Sequence, residues 1–458
     1  MNFDMSFEMD ENILSDEDED LTYEQQRLKR MKKNEEILDT LGINQAAKTL
    51  ANSLQKKTTR VKKNKLKTTT IEPIKRSLRI AHLSNLGESS YKIVPSRRKR
   101  EISDFVEKLK DELAITEPVN DFHKLPSQKF VHVLRSLDIN IPPMKVIESG
   151  IKSLAIHPSE TSLIVAAGDK KGNIILYNRN SNIQIFIAHK ALVNCISFCS
   201  WDLNKLFTTS YDGSFGCSDI AKNTFDIIYR TEQNRINKKS NSTTWHSEYE
   251  RNFLIGNDSG HVEMIDLRIP NKIINSAWCH ERSVRTVQCH PLQKHYFLTS
   301  SETGMVSLWD IRSMTDKSIN PILQFKHPKV LTSSFFSAHG NKMISTCNDN
   351  NIRIFNTEQL NLAATKPIKI IPFMRRFNDN DFQAKWNPGR EDAFFMTSML
   401  LPPRAQVFDC DGNVLHDLIS ENMTMRFSAI EVHPTQAIYV GGNSYGRINI
   451  FSTKKQLI

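Results

Sequence analysis

The stretch "MVSLWD", Met305 to Asp310, is an apolar run with the length of a short β-strand, and it ends in tryptophan and aspartate. Arg312 follows two positions later. An aromatic residue followed by Asp or Asn closes similar runs elsewhere in the chain, for example at Phe408 and Asp409. The stretch is therefore one copy of a repeated unit rather than an isolated strand.

Seven such units follow one another from residue 151. Each contains a strand with a His-Pro-like ending, a second apolar strand, a polar turn, and a third strand that ends at a closing residue. The closing residues are Asn178, Asp219, Asp266, Asp310, Asn356, Asp409 and Ser452. Their separations of 41, 47, 44, 46, 53 and 43 residues are close to the ~40–45-residue period of WD40 repeats, which build four strands per propeller blade.

The repeats predict an all-β fold, a seven-bladed WD40 β-propeller over residues 145–458. Closing the blades into a ring leaves few exposed sheet edges. Trp309 is expected to pack between neighbouring blades, and Asp310 to turn the chain toward the fourth strand. The segment "MKVIES", just before residue 151, is expected to complete the seventh blade by pairing the start of the propeller with its end.

The residues before the propeller divide by charge, within a formal net charge of +10. Residues 1–20 carry nine acidic and no basic side chains, whereas residues 56–100 carry fifteen Lys and Arg against two Glu. We expect residues 1–100 to be a largely disordered tail, acidic and then basic, with a short helix near residues 22–41. Residues 101–144 are expected to form a helical linker. The basic run should hold nucleic acid in a salt-sensitive way. It ends in a cluster typical of nuclear localisation signals, Arg97, Arg98, Lys99 and Arg100.

The sequence argues against membrane, secreted, metal-binding and catalytic proteins. No run reaches the ~18 apolar residues of a membrane span, and the acidic N-terminus does not resemble a signal peptide. The seven scattered cysteines are typical of reduced core residues in an intracellular protein. The Cys and His spacings around Cys195, Cys279 and Cys289 do not match zinc sites. Nucleophile-elbow, P-loop and zincin motifs are absent, so we expect a binding protein without enzymatic activity, metal or cofactor.

The topology of a WD40 blade assigns its loops to two faces. Turns between the second and third strands share the top face with the connections between blades, whereas Arg312 falls on the bottom face. Basic residues gather in the top loops, which predicts a DNA-binding surface because Lys and Arg neutralise phosphates. The residues expected to bind DNA are Lys170, Lys190, Arg285, Lys329, Lys369, Arg375, Arg376, Phe377, Arg404 and Arg426. Lys171, Lys238, Lys239 and Arg282 are expected on the same face.

The longest separation, 53 residues, predicts an insertion between blades five and six, "KPIKIIPFMRRFNDND". Its cations could hold phosphates while an aromatic ring enters a disturbed base stack. The alternative is a solvated loop in which Phe373 and Phe377 pack locally. The convergence of basic residues on the same face favours DNA.

The last blades resemble a known family. "FKHPKVLTSSFFSAHGNKMISTCNDNNIRIFN", "FQAKWNPGREDAFFMTSM" and "HPTQAIYVGGNSYGRINIF" are similar to the family of the fungal changed-mutation-rate protein and the metazoan WD-repeat protein 76. The resemblance covers residues 151–458 and the segment "YEQQRLKRMKKNEEILDTLGI". It implies a nuclear protein that binds double- and single-stranded DNA and prefers UV-type lesions, with the cytoplasm left open as a second location.

The same family is related to the small subunit of the UV-damaged-DNA-binding complex, in which a hairpin between blades five and six enters the lesion. The matching segment here offers Arg376, Phe377 and Asn378 where that subunit has an aromatic-Gln-His tip. The resemblance also implies that the Trp309, Asp310 and Arg312 signature contacts a cullin-ligase adaptor, with Arg268 as a second candidate. The alternative is that both arginines donate hydrogen bonds to backbone carbonyls at strand ends.

Two other functions remain open from the sequence. The protein could be an interaction scaffold, or a ubiquitin-ligase substrate receptor that reads a protein such as a histone on its top face. It could also bind RNA in ribosome biogenesis, which the basic tail would serve. We expect a monomer that binds damaged duplex or single-stranded DNA and does not contact membranes.

Overall fold

The structure is a computed structural model of the 458-residue chain. It describes residues 121–139, 143–178, 183–231, 242–269, 273–314, 319–373, 382–419 and 425–453. It also describes Lys32 and Thr40, both helical, which belong to a separate N-terminal unit, Met1–Leu86. No helix among these residues is long and apolar enough to cross a membrane.

The chain forms seven antiparallel sheets of the kind expected for propeller blades, which confirms the predicted fold. The inner strands are Ile151–Ile156, Val193–Phe198, Thr243–Tyr249, Val284–Cys289, Leu331–Phe336, Lys385–Trp386 and Phe427–Val432. The second strands are Ile164–Asp169, Lys205–Ser210, Asn252–Asn257, Tyr296–Ser301, Lys342–Cys347, Ala393–Ser398 and Tyr439–Asn443. The third strands are Asn173–Asn178, Ser214–Asp219, His261–Asp266, Met305–Asp310, Asn351–Asn356, Arg404–Asp409 and Arg447–Ser452.

The outer strands of blades one to six are Gln184–Ile187, Thr224–Arg230, Ile273–Trp278, Leu323–Lys326, Pro367–Pro372 and Val414–Leu418. Burial explains why the strands differ in sequence. Second strands such as "IVAAGD" are buried on both faces, because the blades stack against each other. Outer strands such as "LQFK" alternate buried and exposed residues, because one side faces solvent.

The seventh blade is completed from the N-terminal side, as the segment "MKVIES" predicted. Met144 and Lys145 pair with Ile448 and Arg447. A second short strand, Asp138–Ile139, pairs with the end of the same third strand. The outer edge of this blade therefore comes from residues that precede the first blade, and the ring is closed by strand pairing.

Trp309 explains why a strand of this fold ends in an aromatic residue. Its side chain is 1% exposed and lies in a cluster with Leu254 of blade three and Phe297 of blade four. The side chain of Asp310 accepts a hydrogen bond from the backbone of Arg312 at 2.9 Å and caps the short 3-10 turn Ile311–Ser313. Both predicted roles, packing between blades and turning the chain, are confirmed.

One helix, Ser127–Arg135, docks on blades six and seven, where Phe130 and Leu134 enter the core. It lies within residues 101–144, the expected helical linker, of which residues 101–120 and 140–142 are outside the described part of the chain. Arg390 holds it in place: its guanidinium donates to the carbonyls of His123 and Leu125 at 3.0 and 2.7 Å. The guanidinium also lies 4.1 Å from the centre of the Phe130 ring.

Candidate nucleic-acid interface

Six of the seven inner strands share a β-bulge near their first residue, at the end that faces the top of the ring. A bulge leaves one residue unpaired and re-aims its side chain. The bulged residues are Lys152, Asn194, Thr244, Arg285, Thr332 and Ser428, and Gln383 occupies the matching place in blade six. All seven are polar, and all but Thr244 line a central channel.

The hydroxyl-bearing members of this ring stabilise the bulges themselves. Thr244 donates to the carbonyl of Gly256 at 3.0 Å, and Thr332 donates to the carbonyl of Thr346 at 3.1 Å. Ser428 donates to the carbonyl of Gly442 at 3.2 Å. These side chains satisfy backbone groups that the bulge would otherwise leave unpaired. Lys152 and Arg285 are the two charged members of the ring.

The channel has a volume of about 800 Å³ and is lined by residues from all seven inner strands. Its charged lining residues are Lys152, Lys170, Arg285, Lys385 and Glu431. Lys385 and Glu431 form an ion pair of 2.6 Å within it. The described lining thus contains four cations and one carboxylate, and Arg285 is also ion-paired with Glu302 in a turn of the top face. A concave site with an excess of one charge focuses the field and attracts oppositely charged ligands.

Exposed lysines lie in the loops of the top face, and one of them, Lys170, lines the channel. Lys170 lies in the turn between the second and third strands of blade one, whereas Lys190 and Lys329 lie in connections between blades. The backbone of Lys190 is fixed by a 2.9 Å hydrogen bond to the carboxylate of Asp212. These three predicted residues are therefore where the loop assignment placed them, and their side chains are exposed.

Buried histidines anchor the connections that carry these lysines. Nε2 of His189 lies 2.8 Å from the Thr208 hydroxyl, and Nε2 of His327 lies 2.8 Å from the Ser345 hydroxyl. Nε2 of His280 lies 2.7 Å from the hydroxyl of Thr299. Each contact ties a connection between blades to a second strand. The connections are thus held as rigid supports rather than left as free loops.

Three of the predicted DNA-binding residues lie elsewhere than expected. Arg285 is in the inner strand of blade four, not in a connection, and it is ion-paired with Glu302. Lys369 is in the outer strand of blade five, where its Nζ lies 3.8 Å from a carboxylate oxygen of Asp411. The predicted insertion is therefore shorter than expected, because "PIKIIP" supplies an ordinary fourth strand.

Arg404 is the third displaced residue, at the start of the third strand of blade six. It donates to the carboxylate of Asp417 at 2.8 Å and to the carbonyls of Leu401 and Pro402 at 3.1 and 3.2 Å. These bonds use the guanidinium to brace a turn, which leaves it poorly placed to hold a phosphate. Arg426 does precede the inner strand of blade seven as predicted, and it is half-buried.

The top face also carries acidic residues among its cations. Asp212, Asp258, Glu281 and Glu302 lie in its turns and connections. Burial raises the pKa of Asp212, but hydrogen bonds from His189, Ser214 and the backbone of Lys190 outweigh it and hold that pKa well below its usual value. The Asp212 carboxylate therefore holds the loop around Lys190 in place. The top face thus carries charges of both signs.

Several predicted residues lie outside the described part of the chain: Arg97, Arg98, Lys99, Arg100, Lys238, Lys239, Arg375, Arg376 and Phe377. The residues that flank the Arg375 to Phe377 segment are described. Phe373 is half-buried, and its ring centre lies 6.0 Å from that of the buried Phe382. Phe373 therefore packs locally, as the alternative interpretation of this loop proposed for it.

The bottom face repeats one arrangement on two adjacent blades. In blade four, Nε and Nη2 of Arg312 donate to the carboxylate of Asp310 at 3.0 and 2.6 Å. In blade three, Arg268 and Asp266 form the same pair at 3.0 and 2.7 Å. Both arginine side chains are exposed. Each arginine is paired with the aspartate two residues before it, and not with the backbone carbonyls that the alternative interpretation expected.

Sequence reasoning missed Lys152, Lys385, Glu431 and the ring of bulged residues. A signal for the ring was present, because the second residue of each repeat is polar and follows an apolar residue in six of the seven repeats, as in "IKS", "VNC" and "VRT". The ion pair of Lys385 and Glu431 joins residues 46 positions apart and left no local pattern. The described residues hold no group of three or more His, Cys, Asp or Glu that could bind a metal ion.

Comparison with known proteins places these features in context. No family model matches the chain. It is 28% identical over 475 residues to WD repeat-containing protein 76 of Mus musculus, covering 94% of this chain and 74% of that protein. It is 23% identical to DNA damage-binding protein CMR1 of Scheffersomyces stipitis, covering 94% and 99% of the two chains. It is 24% identical to DNA damage-binding protein 2 of Oryza sativa subsp. japonica, covering 66% and 54%.

Two of these similarities extend over nearly the whole chain, and therefore include the propeller with its closing N-terminal segment. The WD-repeat name of the mouse relative agrees with the seven blades of the structure. The chain is therefore similar, over nearly its whole length, to WD-repeat proteins of the DNA damage-binding family.

Proposed function

We propose that the protein binds DNA through the top face of its propeller, prefers UV-damaged duplexes, and acts in the nucleus in the response to DNA damage. It is a binding protein and not an enzyme. The observation that carries this proposal is the set of cations along the channel, Lys152, Lys170, Arg285 and Lys385, of which Arg285 and Lys385 are ion-paired with Glu302 and Glu431. The names of the relatives, DNA damage-binding proteins, support the same function.

The exposed lysines give the proposal a physical mechanism. Lys170, Lys190 and Lys329 come from three blades and stand on supports fixed by strand pairing and buried histidines. Lysines at fixed places can follow a phosphate backbone, and such contacts position a protein on DNA. The basic run of residues 56–100 adds contacts that do not depend on sequence or damage.

The test compares two variants of the full chain with the same net charge. One changes the top-face residues Lys170, Lys190 and Lys329 to Glu. The other changes Lys124, Lys222 and Lys294, which belong to the opposite side of the ring, to Glu. Binding to intact and UV-irradiated duplexes is measured by fluorescence anisotropy over a range of salt concentrations.

The top-face variant is expected to bind more weakly. Its plot of log affinity against log salt concentration should be shallower by about 0.9 for each phosphate that the variant no longer neutralises. The matched variant should behave like the wild type, because both retain the basic tail. Equal weakening of both variants would mean that net charge alone drives binding, and the propeller would then not be the DNA-binding surface.

A second candidate function, docking on a ubiquitin-ligase adaptor, is favoured by the paired arginines of the bottom face. Arg268 and Arg312 are exposed and are each held in one orientation by a carboxylate. Arg312→Ala should abolish binding to the adaptor of a cullin ligase in a pull-down with purified proteins, and should leave DNA affinity unchanged. Histone reading on the top face is less well supported, because histone tails are basic and the channel mouth is too.

A further inference from the structure

We propose that Leu401 is an apolar wedge that enters the base stack of a distorted duplex. It stands in the turn between the second and third strands of blade six, residues 399–403, on the top face. The inference rests on the proposed function and adds to it a residue that would sense the distortion itself. The partner that Leu401 enters is a DNA duplex with weakened base stacking, and not a protein or a membrane.

The exposure of Leu401 is the first observation. Its side chain is 72% exposed, the largest fraction for any large apolar residue that the structure describes. Leu400 beside it is 37% exposed. Burying a leucine side chain is favourable, so a leucine held in water forgoes that gain. A ligand that covers Leu401 recovers it.

The rigidity of the turn is the second observation. Arg404 donates to the carbonyl of Leu401 at 3.1 Å and to that of Pro402 at 3.2 Å, while Asp417 fixes the same guanidinium at 2.8 Å. The backbone of Leu400 donates to the Ser398 hydroxyl at 3.3 Å. A turn whose backbone is already fixed loses little entropy on binding, which favours insertion of the side chain at its tip.

The chemistry of the neighbouring blade identifies DNA as the partner. Tyr445, 56% exposed, lies in the corresponding turn of blade seven. Arg447 follows it and is exposed, and Arg426 begins the same blade. Nε of Arg426 is buried and reaches no hydrogen-bond partner within the described residues. Apolar side chains flanked by cations fit a kinked duplex, in which the cations hold phosphates and leucine is among the residues that part base steps.

The test uses the full chain and a duplex with a single cyclobutane thymine dimer and a 2-aminopurine beside it. The fluorescence of 2-aminopurine rises when the base is unstacked, so it reports insertion directly. The variants are Leu401→Ala, Leu401→Phe and Arg404→Gln. The matched control is Leu292→Ala, which removes a leucine that is 66% exposed on the bottom face.

Leu401→Ala should bind the damaged duplex roughly tenfold more weakly, bind the intact duplex as before, and lose the fluorescence rise. Leu401→Phe and Leu292→Ala should retain selectivity and the fluorescence rise. Arg404→Gln should reduce both although Leu401 is intact. Its salt dependence should be unchanged, because Arg404 positions the turn and does not hold a phosphate.

The outcomes separate the wedge from the proposed function. If the wild type prefers damaged DNA and Leu401→Ala retains that preference and the fluorescence rise, the wedge is wrong and top-face DNA binding stands. If the wild type binds neither duplex beyond the level of the Lys170, Lys190 and Lys329 variant, both proposals fail. Thermal melting of each variant identifies any loss caused by unfolding.

Discussion

Lowering the pH from 7 to 5 is expected to remove most of the stability of the propeller, because five buried imidazoles are neutral in the folded chain. Burial lowers the pKa of His123, His157, His280 and His327 to about 4, and that of His246 to about 3. An unfolded histidine titrates near 6.5. Below that pH the unfolded chain binds more protons than the folded chain, so stability falls as the pH falls from 6.5 toward 4.

The magnitude follows from these values. At pH 5 a histidine of the unfolded chain is almost fully protonated and one with a pKa of about 4 is almost neutral. Each such group then lowers the free energy of unfolding by roughly 2 kcal/mol relative to neutral pH. Five of them amount to about 9 kcal/mol, within the ~5–15 kcal/mol that holds a typical domain together. At neutral pH the contribution of these histidines is fully present.

The assay is urea denaturation between pH 8 and 5, with the free energy of unfolding plotted against pH. His280→Gln should reduce the slope near pH 5 by about 1.4 kcal/mol per pH unit, because one titrating group is gone. The control is Tyr439→Phe, which removes the 2.6 Å hydrogen bond from the buried Tyr439 hydroxyl to Oδ1 of Asn387 but no group that titrates between pH 5 and 8. It should lower stability by about 1–3 kcal/mol at every pH and leave the slope unchanged. A flat profile between pH 7 and 5, or an unchanged slope in His280→Gln, would refute the reasoning.

Three further predictions concern ion pairs. Arg390→Met should loosen the docking of the helix Ser127–Arg135, because the buried arginine donates to backbone carbonyls just before that helix. Amide hydrogen exchange of the helix should become at least tenfold faster. Lys385→Met should cost about 1–3 kcal/mol in urea denaturation, because Glu431 then remains unpaired, and adding Glu431→Leu should recover most of the loss. Arg312→Ala should leave the unfolding midpoint unchanged in the same assay, because the pair is exposed to solvent.

The blades were predictable because their signal is repeated. A closing residue at Asp310 alone would mean little, but seven at a regular period specify a ring, and the packing of Trp309 follows from the ring. The completion of the seventh blade by Met144 and Lys145 follows in the same way, because six complete blades leave one short of a strand. Where a feature recurs in every blade, the sequence contains seven independent copies of it.

The contacts of individual cations were not predictable, because they join residues that are distant in sequence. Arg404 and Asp417 are 13 positions apart and lie on paired strands. Arg285 meets Glu302 across a strand pair in the same way. Loop assignment places a residue on a face but does not say which carboxylate lies beside it. Counting basic residues by loop therefore left out their carboxylate partners and missed Lys152 and Lys385 of the channel.

The histidines that stabilise the ring also determine where its cations stand. Lys190 directly follows His189, and Lys329 lies two residues after His327. Each imidazole is hydrogen-bonded to a hydroxyl of a second strand at 2.8 Å. The backbone that carries each lysine is therefore held in a fixed position. A surface that discriminates distorted from regular DNA needs such fixed spacing, because a mobile lysine would follow either shape equally well. Under the proposed function, the same residues couple the stability of the propeller to the selectivity expected of its top face, and a variant that loosens one histidine should lose selectivity before it loses affinity.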